Sequence, residues 1–415
     1  MVLIAIFVAL VFLYSLISRR LERTVVTAPM LFTAAGAAMS LLPEVARELA
    51  LDRKALLLIA ELGLVMVLFT DASRISPSLL KAGRNLPIRL LTTGMLLTIV
   101  LGAVCAMVVL GGLSWWEAGI LAAILAPTDA GLGQVIVNSE RVPQRIRQGL
   151  NVEAGLNDGL SVPFMMLFIA LAVAGESAGS AGAVLARFLG EQLGYGALIG
   201  LAIGAAGGWL LGLADRTRWM APPLAQLGVV ALPLLCVMAS EAVAASMFIA
   251  AFVAGFAVQF GFGEAGRHSV EFAEDWGSLF NYFVFFLFGT VIAGIWPHFT
   301  PAVLLYAVLS LTVVRMVPVA LALKGTGLSR ATVLFMGWFG PRGLASIVLG
   351  MVYLEREADL GGESTIRLAV MATVLLSIFA HGLSALPGIN LYARRIASLD
   401  KAAPEHEASG ERSAS

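Results

Sequence analysis

The sequence predicts an all-α polytopic membrane protein of about thirteen transmembrane helices, and three observations carry that reading. Of its 415 residues, 59% are hydrophobic and 13% charged, far outside the range of soluble domains. Apolar stretches of about 20 residues, enough to cross a hydrocarbon core of roughly 30 Å, follow one another from Val2 almost to Leu391. The basic residues fall into alternate loops.

Apolar length and polar or Gly/Pro breaks place the first seven segments at 2–18, 25–42, 55–72, 86–111, 114–137, 148–174 and 189–213. The others lie at 222–240, 242–261, 275–297, 300–323, 328–352 and 364–391. No basic residue precedes the first run and no small-residue cleavage site closes it. Arg19, Arg20 and Arg23 follow instead, which marks a retained helix whose C-terminal end faces the cytoplasm. With the N-terminus outside, Arg74, Lys81, Arg84, Arg89, Arg141, Arg145, Arg147, Arg216, Arg218, Arg267, Lys324, Arg330, Arg394 and Arg395 all become cytoplasmic. The outer loops then keep only Arg47, Arg53, Lys54, Arg187, Arg356 and Arg367. An odd number of spans, N-out and C-in, is the expected topology. The segment 392–415 is polar and mixed in charge, and is expected to be a disordered cytoplasmic tail.

The formal net charge is zero, so composition argues for no nucleic-acid partner. Cys105 and Cys236 lie in apolar segments and read as small buried side chains, not as a disulfide.

An ionised side chain at mid-bilayer costs about 2.5–3.5 kcal/mol on insertion scales, so charges inside the spans mark functional candidates. The fifth segment carries Ala126-Pro127-Thr128-Asp129-Ala130-Gly131, where proline removes a helical donor and predicts unwinding beside an acid. The sixth carries Glu153, Asn157 and Asp158; Glu153 and Asn157 share a helix face, and Asp158 sits about 100° further round. Such hard oxygen ligands suit Na⁺, K⁺ or Li⁺ better than a softer transition metal.

The twelfth segment carries Phe339-Gly340-Pro341-Arg342-Gly343, a second proline-glycine break. Broken segments seven positions apart fit two inverted six-helix repeats joined by the seventh helix, with the substrate site at the crossing of helices five and twelve. Arg342 is expected to pair with Glu153, and Arg315 of the eleventh segment to serve the half-helix ends and freed carbonyls. Glu61 and Asp71 weigh less, Asp71 reading as interfacial. A lone His381 reads as structural, with pH sensing as the lesser alternative.

Thr128-Asp129, Glu153 with Asn157-Asp158, Arg315 and Gly340-Pro341-Arg342-Gly343, in this order, resemble the cation:proton antiporters, specifically the NhaP-type Na⁺/H⁺ exchangers. The likeness runs from the first helix to His381-Gly382. It implies a core domain (86–174 and 300–391) moving against dimerisation helices (1–72 and 222–297), with 189–213 as connecting helix, in a homodimer with elevator-like alternation of access. It also implies Asp158 as the carboxylate that takes either cation or proton, and Thr128 and Asp129 as further ligands of the Na⁺, K⁺ or Li⁺. It further implies Glu153 and Asn157 as members of the same ion- and proton-binding site, Glu153 supplying or ordering ligands. The Asn-Asp pair goes with electroneutral exchange, no cofactor is implied, and the transported ions are the small-molecule partners. Compact loops and a lack of targeting segments lead one to expect the bacterial plasma membrane.

Two departures stand out: Ala130 where relatives usually have proline, and Ala154 where a serine hydroxyl helps to bind the ion. The rival readings are a cation channel, an intramembrane hydrolase and a transporter of organic solutes. A channel would place rings of carbonyls or acids along a pore. A hydrolase would need a nucleophile with its base, and no Gly-x-Ser-Gly stretch occurs.

Overall fold

The computed structural model describes residues 2–21, 24–42, 53–74, 85–176, 182, 186, 188–263, 267–355, 360–399 and 403–406, which form helices and no strand. Arg23, Arg47, Lys81, Arg84, Arg187 and Arg356, used above for topology, lie outside the described residues.

The first helices are α1 (Val2–Leu21), α2 (Ala28–Met39) and α3 (Arg53–Arg74). Helix α4 begins as Asn85–Arg89, passes through a π-helical turn at Leu90–Gly94 and continues as Met95–Leu110. The fifth segment is broken into α5a (Trp115–Ile124) and α5b (Ala130–Val137), and α6 (Gln144–Glu176) follows. Next come α7 (Gly196–Arg216), α8 (Pro222–Ala242), α9 (Met247–Val258) and α10 (Arg267–Ile295). Helix α11 runs as Pro301–Leu311 and Val313–Ala322 with a kink at Thr312. The twelfth segment is broken into α12a (Arg330–Trp338) and α12b (Leu344–Glu355), and α13 (Glu363–Ile396) closes the bundle.

Among the described residues, nine helices are long and apolar enough to cross a membrane. The other expected spans fall on α2 and α9, each of 12 residues, and on the broken pairs. A 12-residue helix is about 18 Å long, short of the hydrocarbon thickness.

Small residues set the helix spacing. Gly196, Gly200, Gly204, Gly208 and Gly212 recur every fourth position on the buried face of α7. At Gly200, Gly204 and Gly208 a Cβ would run into the carbonyls of Ala250, Ala254 and Val258 on α9, so only glycine lets these backbones meet. On α1, Val8, Phe12, Leu13 and Leu16 are exposed, as side chains facing lipid are.

A second apolar cluster, including Leu90, Ile136, Ile146, Val319, Phe335 and Ile389, joins α4, α5b, α6, α11, α12a and α13 at one end of the bundle. Arginines clamp that end: Arg89 Nη1 donates to Lys324 O at 2.7 Å, and Arg141 Nη1 to Asn390 Oδ1 at 2.6 Å. At the opposite end, Glu117 forms a capping box with Ser114 and also accepts from Gly362 N–H at 2.6 Å, tying α5a to the start of α13.

The expected tail begins later than 392, because α13 continues to Ile396. Residues 404–406 form a short 3₁₀ turn. Within it the Glu405 carboxylate accepts from Ser329 N–H and the Thr332 hydroxyl, each at 2.7 Å, and Arg145 Nη1 donates to Pro404 O at 2.8 Å. These residues are held because Glu405 supplies the N-terminal carboxylate that α12a lacks in its own first turn.

Candidate functional site

The two breaks lie against each other and exchange hydrogen bonds. Unwinding of α5 after Ile124 frees carbonyls that no helical N–H can reach. Ser346 Oγ donates to Ile124 O at 2.7 Å. The Arg342 guanidinium donates through Nη1 to the carbonyls of Ala126 and Pro127, at 2.9 Å to the latter. In return the Asp129 carboxylate of α5b accepts from its own Leu132 N–H at 2.8 Å and from Leu344 N–H, the first turn of α12b, at 2.5 Å. Asp129 N–H donates to Pro341 O at 2.7 Å. One carboxylate thus caps two helix N-termini, and Gly343 has no side chain because Asp129 occupies that space.

The charge pairing is the reverse of the sequence expectation. Glu153 is paired with Arg315, Nη1 to Oε1 at 2.5 Å and Nη2 to Oε2 at 3.0 Å, with both side chains 3% exposed. Arg342, fully buried, serves the carbonyls instead. The reason is position along the helices. Arg342 stands inside the α12 break, directly opposite the α5 break, so freed carbonyls are its nearest acceptors. Arg315 follows a kink in which the helical bonds persist, Met316 N–H to Thr312 O at 2.7 Å, so its fork is available for a carboxylate.

Asn157 Nδ2 donates to Thr128 Oγ1 at 2.7 Å, binding α6 to the α5 break. Asp158 is buried, and its Oδ1, like Asn157 Oδ1, has no hydrogen-bond partner among the described residues. An acceptor of this kind, carrying charge in a low-dielectric core, is completed by a proton or a cation. Asp129 and Asp71 lie within electrostatic reach of it.

Asp71, read from sequence as interfacial, packs against Gly155, where an added Cβ would approach the Asp71 Cβ to 3.3 Å. Gly155 precedes Asp158 by three residues on α6, so Asp71 brings α3 to the same face. The legible signal was the glycine between Glu153 and Asn157. Asn281 of α10, its Oδ1 buried without a partner, lies against Gly131 and was not singled out from sequence.

A narrow cleft is lined by Thr128 and Asp129 and walled by Ile136, Val137, Leu150 and Phe339, of which Ile136, Leu150 and Phe339 belong to the second apolar cluster. Ala130 and Ala154 line it with methyl groups where the resemblance leads one to expect proline and serine. His381 is buried between Ser377 and Trp338 O, away from this cleft.

Two broken helices that cross within an apolar bundle, with buried charges serving the breaks beside an unpartnered carboxylate, define a multi-pass membrane transporter. The family model described as sodium/hydrogen exchanger, transmembrane, matches residues 2–388, and the chain belongs to that family. It is 26% identical over 302 residues to the K(+)/H(+) antiporter NhaP of Alkalimonas amylolytica, covering 71% of this chain and 50% of that one. It is 26% identical over 277 residues to Na(+)/H(+) antiporter 2 of Zygosaccharomyces rouxii, covering 61% of this chain and 33% of that one. The chain therefore spans half or less of the length of these relatives. Its fold matches the sodium proton antiporter MjNhaP1 from Methanocaldococcus jannaschii at pH 8 with TM-score 0.75 and 20% identity, covering 95% and 99% of the two chains. An electron-microscopy structure of MjNhaP1 matches at TM-score 0.69 and 19% identity, covering 96% and 98%.

Proposed function

We propose that this protein is a secondary antiporter that exchanges a monovalent cation, Na⁺ first with K⁺ and Li⁺ as the alternatives, for a proton at Asp158. The observation that carries the reading is the buried Asp158 Oδ1, without a partner among the described residues, beside two helix breaks that exchange hydrogen bonds with each other.

Proton and cation compete for one carboxylate, so the loaded core carries the same charge with either and exchange is one for one and electroneutral. Asn157 contributes no titratable group. Its amide orders Thr128, Asp129 holds the half-helices, and the Glu153–Arg315 pair braces α6 against α11. Asp71 adds a third carboxylate near the ion path.

In this reading about thirteen spans run N-out and C-in as two inverted repeats. The core (86–174 and 300–391) moves in elevator fashion against dimerisation helices (1–72 and 222–297) of a homodimer in the plasma membrane. The arginine-clamped end is then cytoplasmic and the cleft faces inward. A buried carboxylate beside two broken helices, in place of rings of carbonyls or acids along a pore, argues against the alternative of a channel. The sparsity of hydrogen-bonding and aromatic groups along the cleft argues against an organic solute.

The test is dissipation of a pH gradient in proteoliposomes on adding Na⁺, K⁺ or Li⁺, comparing the native protein with Asp158→Asn. Cation-dependent dissipation by the native protein alone supports the assignment and identifies the ion. Equal behaviour of the two proteins, or no response to any cation, overturns it.

A further inference from the structure

The α12 break leaves polar backbone groups on two sides, and only one side has been accounted for. Toward α5, Arg342, Leu344 and Pro341 exchange bonds with the α5 break. Toward α13, the last carbonyl of α12a and the N–H of Arg342 face Ser377 and His381, four residues apart on one face of α13. Arg342 N–H donates to Ser377 Oγ at 2.6 Å. His381 Nε2 lies 2.9 Å from Trp338 O, and since a carbonyl only accepts, Nε2 carries the proton. Nδ1 lies 3.1 Å from Ser377 Oγ. Nδ1 also lies 3.0 Å from the Ser377 carbonyl, so both oxygens of Ser377 face that nitrogen. The imidazole thus holds a bond at each of its nitrogens. One turn on, Ser384 Oγ accepts from Trp338 Nε1 at 2.9 Å, and the Trp338 and His381 rings lie 5.0 Å apart.

We propose that Ser377 and His381 form a two-point bracket that fixes the span of the α12 break, from Trp338 O to Arg342 N–H, and so keeps the Arg342 guanidinium on the α5 carbonyls. They are positioning residues, and they touch no ion. Without them the Arg342 N–H stands orphaned at membrane depth, where no water replaces the bond, and Trp338 O keeps only its bond from Gly340 N–H at 2.9 Å. The break then widens or refolds toward helix, and Arg342 leaves Ala126 and Pro127. His381 serves this role through the bond of its Nε2 to Trp338 O.

The proposal rests on the exchange reading for its transport consequence, and two independent readouts test it. Ser377→Ala and His381→Leu are expected to speed deuterium exchange in a peptide spanning 339–343, measured on the full-length protein in detergent. In proteoliposomes they are expected to slow cation-driven proton movement about tenfold at saturating cation, with the half-saturating cation concentration shifted less than about twofold. His381→Gln keeps a donor in reach of Trp338 O, so it is expected to restore both readouts to near native values with an unchanged pH profile. Size-exclusion behaviour and unfolding temperature identify a variant that has not folded, and the Gln variant then decides. Native exchange and transport in His381→Leu overturn the bracket. Equal impairment of the Gln and Leu variants also overturns it, in favour of a titrating imidazole. If the native protein moves no protons with any cation, the exchange reading fails while the deuterium readout still decides the bracket.

Discussion

Asp129 and Leu344 lie on different helices, yet the carboxylate of one caps the other: Oδ2 of Asp129 accepts from Leu344 N–H at 2.5 Å while Oδ1 accepts from Leu132 N–H at 2.8 Å. An acid in this position stabilises two helix N-termini and the crossing between them. Asp129→Asn retains one acceptor oxygen of two, so one cap is lost at a cost of about 1–2 kcal/mol, and Asp129→Ala loses both. The unfolding temperature in detergent is expected to fall in the order native, Asn, Ala. An Asn variant as stable as the native protein would show that the second cap contributes nothing.

The Glu153–Arg315 pair is buried, so removing either partner leaves an uncompensated charge, at a cost of about 3–5 kcal/mol. Glu153→Leu with Arg315→Met replaces the pair by apolar side chains and is expected to cost much less than the sum of the single changes. A double-mutant cycle on unfolding free energy measures the coupling. The matching cycle for Glu153 with Arg342 is expected to give a smaller coupling, because Arg342 donates to carbonyls. Equal couplings would contradict the pairing described.

Ala154 faces the cleft one turn before Asp158, on the same side of α6. A hydroxyl there supplies an oxygen that the native site lacks. Ala154→Ser is expected to fold normally and to lower the half-saturating cation concentration about threefold, about 0.7 kcal/mol of added binding. Cation titrations of proton movement check this; a raised or unchanged value would place the ion elsewhere.

Glu405 lies beyond the last membrane helix. Burial pushes its carboxyl up, but the bonds from Ser329 N–H and from the Thr332 and Ser329 hydroxyls together outweigh that and hold it below the ordinary 4.5. A carboxyl lowered by folding contributes stability above its ordinary pKa and loses it as pH falls through the lowered value. At pH 7 the contact is therefore fully formed. Glu405→Gln is expected to weaken the N-terminal cap of α12a by about 1 kcal/mol at pH 7. Amide deuterium exchange over 329–333 should rise about fivefold in the variant, the difference narrowing below about pH 4. A constant difference at all pH values would exclude the ionised carboxylate as the cap.

Sequence alone determined the class of fold, because apolar length and the placement of arginines answer to the thickness and sidedness of a bilayer, which are properties of the solvent. It also located both helix breaks, since proline and glycine act on their own backbone wherever the chain goes. For the same reason Thr128, Asp129, Asn157 and Asp158 could be named before any contact was known. Tertiary structure alone decided which arginine meets Glu153, because pairing depends on helix rotation and on what each guanidinium finds opposite it. Both arginines were legible as buried charges; only the crossing of the breaks gave Arg342 the carbonyls of Ala126 and Pro127 and left Arg315 for the acid. Asp71 beside Gly155, the double cap of Asp129, the Ser377–His381 bracket and the docking of Glu405 on Ser329 are likewise contacts between distant segments. Apart from the glycine at position 155, local pattern carries no trace of them, since each exists only where two distant segments have already been brought together.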